Sequence, residues 1–148
     1  MSTLTPQQTA ERARDAMWAQ DATGQALGIA ITAIAPGRAT ATMTVRPDML
    51  NGFAICHGGF ITTLADTAMA FASNSYNEVT VASGLEINFL DSAKLNDLLI
   101  AEAEEVSRGG RLGLYDVTVR NEAGVQIAVM RGRTYTLKGK PVAAPSQP

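Results

Sequence analysis

The apolar positions along the chain change period twice, and each change marks an element. From Pro6 to Gln20 strong helix formers follow Thr5, a suitable N-cap, and Pro6, which fits the first helical position; this predicts an amphipathic N-terminal helix with Met17 and Trp18 packed on the body of the fold. From Gly28 the period drops to two. Ile29 and Ile31 share one face of a strand running to Ile34, and Pro36-Gly37 turns the chain. Arg38 to Val45 then sets Ala39, Ala41, Met43 and Val45 against Thr40, Thr42 and Thr44, the pattern of a half-buried antiparallel strand. Pro47 to Cys56 reads as a loop with a tight bend at Asn51-Gly52.

Phe60 to Ser75 restores the helical period. At 100° per residue, Phe60, Ile61, Leu64, Ala65, Ala68, Phe71 and Ala72 fall on one buried arc, with Thr62, Asp66, Met69 and Ser73 opposite. Asp66 is the single ionisable side chain in the stretch. A solvated helix face carries Lys, Glu and Arg, so the second arc is expected to be covered as well, by a ligand or a partner subunit.

Beyond this helix the alternation returns. Val79 to Ser83 runs on into Leu85 to Leu90 with Leu85, Ile87 and Phe89 inward, and Leu98 to Val106 and Leu112 to Arg120 follow. After a turn at Asn121 to Gly124, Val125 to Leu137 sets Val125, Ile127 and Val129 against Gln126 and Ala128. The stretch 138–148, rich in Pro and Ala, is expected to fray. One long helix among five or six antiparallel strands predicts an α+β domain in which a curled sheet wraps the helix, the outline of the hotdog fold.

Composition narrows the chemistry. A chain of 148 residues makes one domain, with its core expected over 17–137. Hydrophobic content of 46 % beside 18 % charged residues is that of a soluble globular protein, and a net charge of −2 argues against nucleic-acid binding. No apolar run approaches the ~18 residues of a membrane span and no leader pattern opens the chain, which points to the cytoplasm. The single cysteine, Cys56, excludes an internal disulfide, and with one histidine, His57, too few soft ligands exist for a protein-built zinc site.

The candidate chemistry lies at the start of the long helix. Gly58 and Gly59 put no side chain in front of the free N–H groups of the first turn, where a helix can hold an anion or a developing oxyanion. Asp66 stands about two turns further on, roughly 11 Å along the axis. A carboxylate and an oxyanion donor serving one carbonyl must both lie close to it. One helix therefore cannot supply both, but two packed antiparallel about a two-fold axis can. Cys56 and His57 are adjacent, so in an extended segment they face opposite ways and do not suit a nucleophilic dyad. No Gly-x-Ser-x-Gly elbow is present. His57 alone has two readings, bracing the helix start or touching substrate.

The motifs Met49-Leu50-Asn51-Gly52, Cys56-His57-Gly58-Gly59, Leu64-Ala65-Asp66-Thr67-Ala68 and Ala72-Ser73-Asn74-Ser75 resemble the hotdog-fold acyl-CoA thioesterases of bacterial phenylacetic acid degradation. That resemblance spans roughly 17–137. It implies hydrolysis of phenylacetyl-CoA or ring-hydroxylated phenylacetyl-CoA, with coenzyme A part of the substrate and no separate cofactor. It also implies a homodimer with shared sites, assembled further into a homotetramer. By position, Asp66 would be the catalytic carboxylate, as nucleophile or general base, and Gly58 would polarise the carbonyl through its N–H with Gly59 beside it. Asn51 and His57 would line the pocket, with Thr67 and Ser83 close by. Arginines suit the coenzyme A phosphates; Arg108 and Arg111, flanking Gly109-Gly110, are the leading candidates, ahead of Arg131 and Arg133. The chain departs from the resemblance at Phe53, where relatives often carry His or Gln, and at 91–97, where only Asp97 of an Arg-Pro and a Gly-Asp pair is kept. An enoyl-CoA hydratase and a non-catalytic acyl-CoA-binding protein are the alternatives on the same fold.

Overall fold

The computed structural model describes residues 3–145. Helix α1 (Pro6–Gln20) starts at a capping box in which the Gln8 N–H donates to Thr5 Oγ1 at 3.1 Å and the Thr5 N–H donates to Gln8 Oε1 at 2.9 Å. Its buried Ala10 and Ala13 let it lie close to the sheet beside β1. A single short turn, α2 (Ala22–Ala26), follows without a break in polarity that would announce it. The strands are β1 (Ala30–Ala35), β2 (Arg38–Thr44), β3 (Thr80–Phe89), β4 (Leu98–Gly109), β5 (Leu112–Asn121) and β6 (Gln126–Thr136), and the central helix is α3 (Gly58–Ser73). They form one six-stranded sheet in the order β1-β2-β4-β5-β6-β3, every pair antiparallel.

The sheet curls around α3 because four strands carry an extra residue. Register jumps past Thr32 in β1, Ser83 in β3, Val106 in β4 and Ile127 in β6, and each such bulge bends its strand and increases the local twist. The inward residues of β2, β4 and β5 meet across the ladder as Met43 with Leu99, Ala41 with Ala101 and Ala103 with Val117, all buried against α3. Ala41, Ala101 and Ala103 leave room for the helix between the larger Met43, Leu99 and Val117.

Three expectations change. The bulge at Ile127 exchanges the faces of β6, so Ala128, Met130, Gly132 and Thr134 point to the helix and Val125 and Val129 do not, while Ile127 is buried at the bulge itself. The second arc of α3, expected to be covered by a ligand or a partner subunit, is covered in part by the chain itself, since Met69 and Ser73 are buried, Met69 against Gly132 of β6. The start of the tail is tied down, because Lys140 accepts from the Val79 N–H at 2.8 Å and the Ala143 N–H donates to Asn77 Oδ1 at 2.7 Å; residues 146–148 lie outside the described residues. On β3, Leu85, Ile87 and Phe89 share the helix-facing side with Gly132, Met130 and Ala128, yet Phe89 is 51 % exposed because the edge of the sheet overhangs α3.

Gly132 is where α3 presses hardest on the sheet. A Cβ there would collide with the Met69 sulfur. Gly132→Ala is expected to destabilise the fold by about 1–3 kcal/mol through overpacking, read as a lower denaturation midpoint with an unchanged slope.

Candidate active site

His57 is the N-cap of α3, and its extended backbone (φ −60°, ψ 133°) turns the imidazole back over the helix start. Its Nδ1 accepts the Gly59 N–H at 2.9 Å, and its carbonyl accepts the Phe60 N–H at 3.0 Å. Nδ1 of His57 thus braces the helix start, and the Gly59 donor is already engaged. The Gly58 N–H is left with no partner among the described residues. Glycine is needed there for space also: a Cβ would stand 2.8 Å from Phe89 Cζ, whose ring lies across the first turn.

Asn51 shapes the wall opposite. Its Oδ1 accepts the Phe53 N–H at 2.9 Å and the Ile55 N–H at 3.4 Å, which locks the loop and leaves the side-chain NH2 without a partner among the described residues. Asn51, Cys56, Gly58, Ile61 and Phe89 line one cleft of about 540 Å³. Two unspent donors, one backbone and one amide, thus border the same opening. That arrangement can polarise a carbonyl.

Cys56 does not offer a nucleophile. It is buried, and burial pushes its thiol up to about 11, while the adjacent imidazole nitrogen is committed to Gly59. Asp66 is different. Half-buried on α3, it has no hydrogen bond or ion pair among the described residues, and desolvation raises its carboxyl above the ordinary carboxylate value. It lines a second cleft, of about 480 Å³, with Met17, Met69, Ala70 and Val81.

The two clefts have no residue in common. Within one chain the structure brings Gly58 and Asn51 together and keeps Asp66 about two turns away along α3. Thr67 donates its hydroxyl to the Thr63 carbonyl at 2.7 Å, and Ser83 is the exposed bulge residue of β3; neither lines either cleft. Arg108 lies 3.7 Å over the Tyr76 ring and 3.9 Å from Glu78, and Arg111 donates to the Thr136 carbonyl at 3.3 Å. Both arginines sit around the β4–β5 hairpin, beyond the C-terminal end of α3, and not beside Gly58. Met17 and Gln20 of α1 and Val142 of the tail join the wall of the Asp66 cleft through contacts far apart in sequence, which no local pattern marks.

A six-stranded antiparallel sheet curled around one helix, with a free N–H at the helix start and a lone carboxylate further along, defines a hotdog-fold protein. The chain belongs to the thioesterase superfamily, whose family model matches residues 53–128. It is 41 % identical over 124 residues to the acyl-coenzyme A thioesterase PaaI of Escherichia coli K12, covering 84 % of this chain and 89 % of that protein. The solved structure of E. coli PaaI, from the phenylacetic acid degradation operon, superposes with a TM-score of 0.90 at 38 % identity, covering 92 % of this chain and 99 % of that one. A Streptococcus mutans protein solved with acetyl-CoA superposes at 0.73 with 28 % identity, over 76 % of this chain and 90 % of that one.

Proposed function

We propose that the protein hydrolyses phenylacetyl-CoA or ring-hydroxylated phenylacetyl-CoA to the free acid and coenzyme A, in aromatic catabolism. The observation that carries this reading is the pairing, in a member of the thioesterase superfamily, of an unspent Gly58 N–H with an unpartnered carboxylate, Asp66, on the same helix. Coenzyme A enters as part of the substrate, so no cofactor is invoked.

The thioester carbonyl oxygen sits at the Gly58 N–H, with the Asn51 amide beside it. Asp66 either attacks the carbonyl carbon or takes a proton from the water that does. Negative charge builds on the carbonyl oxygen against the helix N-terminus and the C–S bond breaks; in the water route sulfur takes the proton that Asp66 gained, and in the carboxylate route it leaves as the thiolate and is protonated by solvent. When the carboxylate attacks, water then cleaves the resulting anhydride and frees Asp66. His57 acts as a positioning residue, holding the first turn open around Gly58.

Because the clefts of one chain are separate, each site takes Gly58 and Asn51 from one protomer and Asp66 from the other. Strand β3 supports this arrangement: it closes the sheet at one edge and exposes Val81, Leu85 and Phe89. Joining two β3 edges about a two-fold axis continues the sheet and sets the α3 helices antiparallel, which aligns each Asp66 with its neighbour's Gly58. Two dimers then pair as a homotetramer. No helix among the described residues is long and apolar enough to cross a membrane, and a cytoplasmic site of action is part of the reading. Contact with the coenzyme A phosphates through Arg108 and Arg111 belongs to it too, each having to give up an intrachain partner.

Thiol release from a panel of acyl-CoAs tests the proposal. Phenylacetyl-CoA should release thiol catalytically; loss of enoyl absorbance without thiol release would make the protein a hydratase, and tight binding without turnover a carrier. The pH profile carries a second expectation. Asp66 works as the carboxylate and its proton is held above the usual range by burial, so kcat/KM should fall as pH drops through a midpoint higher than that of a free Asp.

A further inference from the structure

We infer that Asp91 makes the Gly58 cleft selective for the charge of the thiol half of the thioester: the cleft takes an uncharged arm such as pantetheine and holds phosphate groups off. This rests on the thioesterase reading, because it is the carbonyl at the Gly58 N–H that brings the group on sulfur to this opening. Besides Asn51 and Gly58, the cleft is lined by four consecutive residues of the β3–β4 connection, Leu90 to Ala93. Among the described residues that line it, Asp91 carries the only charge. The lining includes no Lys or Arg, and Lys94, the next cation along the chain, is not part of it. Arg108 and Arg111, at the β4–β5 hairpin, do not line it either.

Nothing among the described residues neutralises this carboxylate. Asp91 is exposed and takes part in no ion pair there. Its side chain accepts only the neighbouring Ser92 N–H, at 2.7 Å through Oδ1, which orients the group and leaves Oδ2 open. The backbone beneath it is fixed. The Leu90 and Asp91 N–H groups both donate to the Ile127 carbonyl of β6, at 2.8 and 3.3 Å, and the Ala93 carbonyl accepts the Cys56 N–H at 2.8 Å. Cys56 stands two residues before Gly58, so the last of these bonds ties the acidic wall to the segment that carries the oxyanion donor. The charge therefore stays at the cleft.

A fixed negative charge in a cleft acts on ligands by sign. Concave walls of low dielectric focus its field, so an anion brought within about a Debye length is repelled while a neutral amide is not. The pantetheine arm carries amides and a hydroxyl and no charge, and its N–H and O–H groups suit a carboxylate as well as they suit water. The nucleotide end of coenzyme A is the opposite case, with several phosphate charges. Such a thioester is held in this cleft by its arm, with its phosphates kept outside. Because Asp91 faces solvent, screening keeps the penalty to a few-fold in affinity and not to exclusion.

The test compares kcat/KM for phenylacetyl-CoA and S-phenylacetylpantetheine in the full-length protein, two thioesters that share the acyl group and the arm and differ in the phosphates. Asp91→Asn, which removes the charge and keeps an acceptor for the Ser92 N–H, should raise the CoA-to-pantetheine ratio about threefold at low salt, and Asp91→Lys about tenfold. Both gains should shrink at high salt, a response that the loss of a merely structural contact would not give. Asp91→Asn decides the matter where Asp91→Lys does not fold. An unchanged ratio in folded variants that still cleave both thioesters overturns the role of Asp91 and leaves the thioesterase reading standing. A parallel change on both substrates overturns it too, since the carboxylate would then touch the arm without sensing phosphate. Absence of thiol release from either thioester by the unmodified protein removes the thioesterase reading and the selectivity together.

Discussion

Asp66→Asn is expected to lower kcat on phenylacetyl-CoA by about 10³-fold or more while the protein stays folded. The amide is isosteric with the carboxylate but neither attacks a thioester nor takes a proton from water. Stability should move the other way. The folded-state pKa of Asp66 is raised by desolvation, so the folded protein binds its proton more tightly than the unfolded chain does. Above the unfolded value the charged form opposes folding, and stability is lost as pH rises toward and through the folded pKa. At neutral pH the Asn variant should therefore melt at or above the unmodified protein. Below the ordinary carboxylate range the difference should close, because Asp66 is then protonated in both states. A variant that loses both activity and stability at neutral pH would mean that Asp66 is a structural residue.

Gly58→Pro should remove the oxyanion donor while leaving the helix intact, at the cost of a shift of the Phe89 ring. Proline suits the first position of a helix, and the Gly58 N–H has no partner within the described residues, so no hydrogen bond of the fold is lost. The preceding residue, His57, already has the extended ψ of 133° that a following proline demands. A Cβ at this position stands 2.8 Å from Phe89 Cζ, so the half-exposed Phe89 ring has to shift to admit the proline. With the fold kept, kcat should drop about 10²–10³-fold, the usual cost of deleting one such donor. Far-ultraviolet circular dichroism and the melting temperature, measured alongside kcat, separate this result from misfolding. Full activity in a folded Gly58→Pro protein would place the oxyanion elsewhere.

Much of this site is legible in the sequence because it depends on local rules. Asp66 stands out as the one charge in Phe60–Ser75, and the glycine pair marks a bare helix start. The clean alternation of β2 predicts its buried face residue by residue, since a strand paired on both sides without a bulge keeps its period of two. Failures occur where a partner strand or a distant segment decides. Ile127 and Thr32 look like ordinary alternating positions, and nothing in their neighbours says that the facing strand will skip one residue there and exchange the faces beyond. His57 is equally suited by type to cap or to touch substrate, and the cap becomes visible only in the 2.9 Å bond from Gly59. The tail is Pro- and Ala-rich, as a frayed end would be, yet its backbone is caught by Asn77 and Arg12, contacts far apart in sequence. The Asp66 cleft was hidden for the same reason.

The most direct measurement is activity in a mixed dimer. Co-expression of Asp66→Asn and Gly58→Pro chains carrying different affinity tags, each nearly inactive by itself, gives hybrids in which one site has both lesions and the other has none. With random pairing about a quarter of the unmodified activity should return, and purified hybrids should show about half. If the carboxylate and the donor that serve one thioester came from the same chain, every site in the mixture would carry a lesion and no activity above that of the parents would appear.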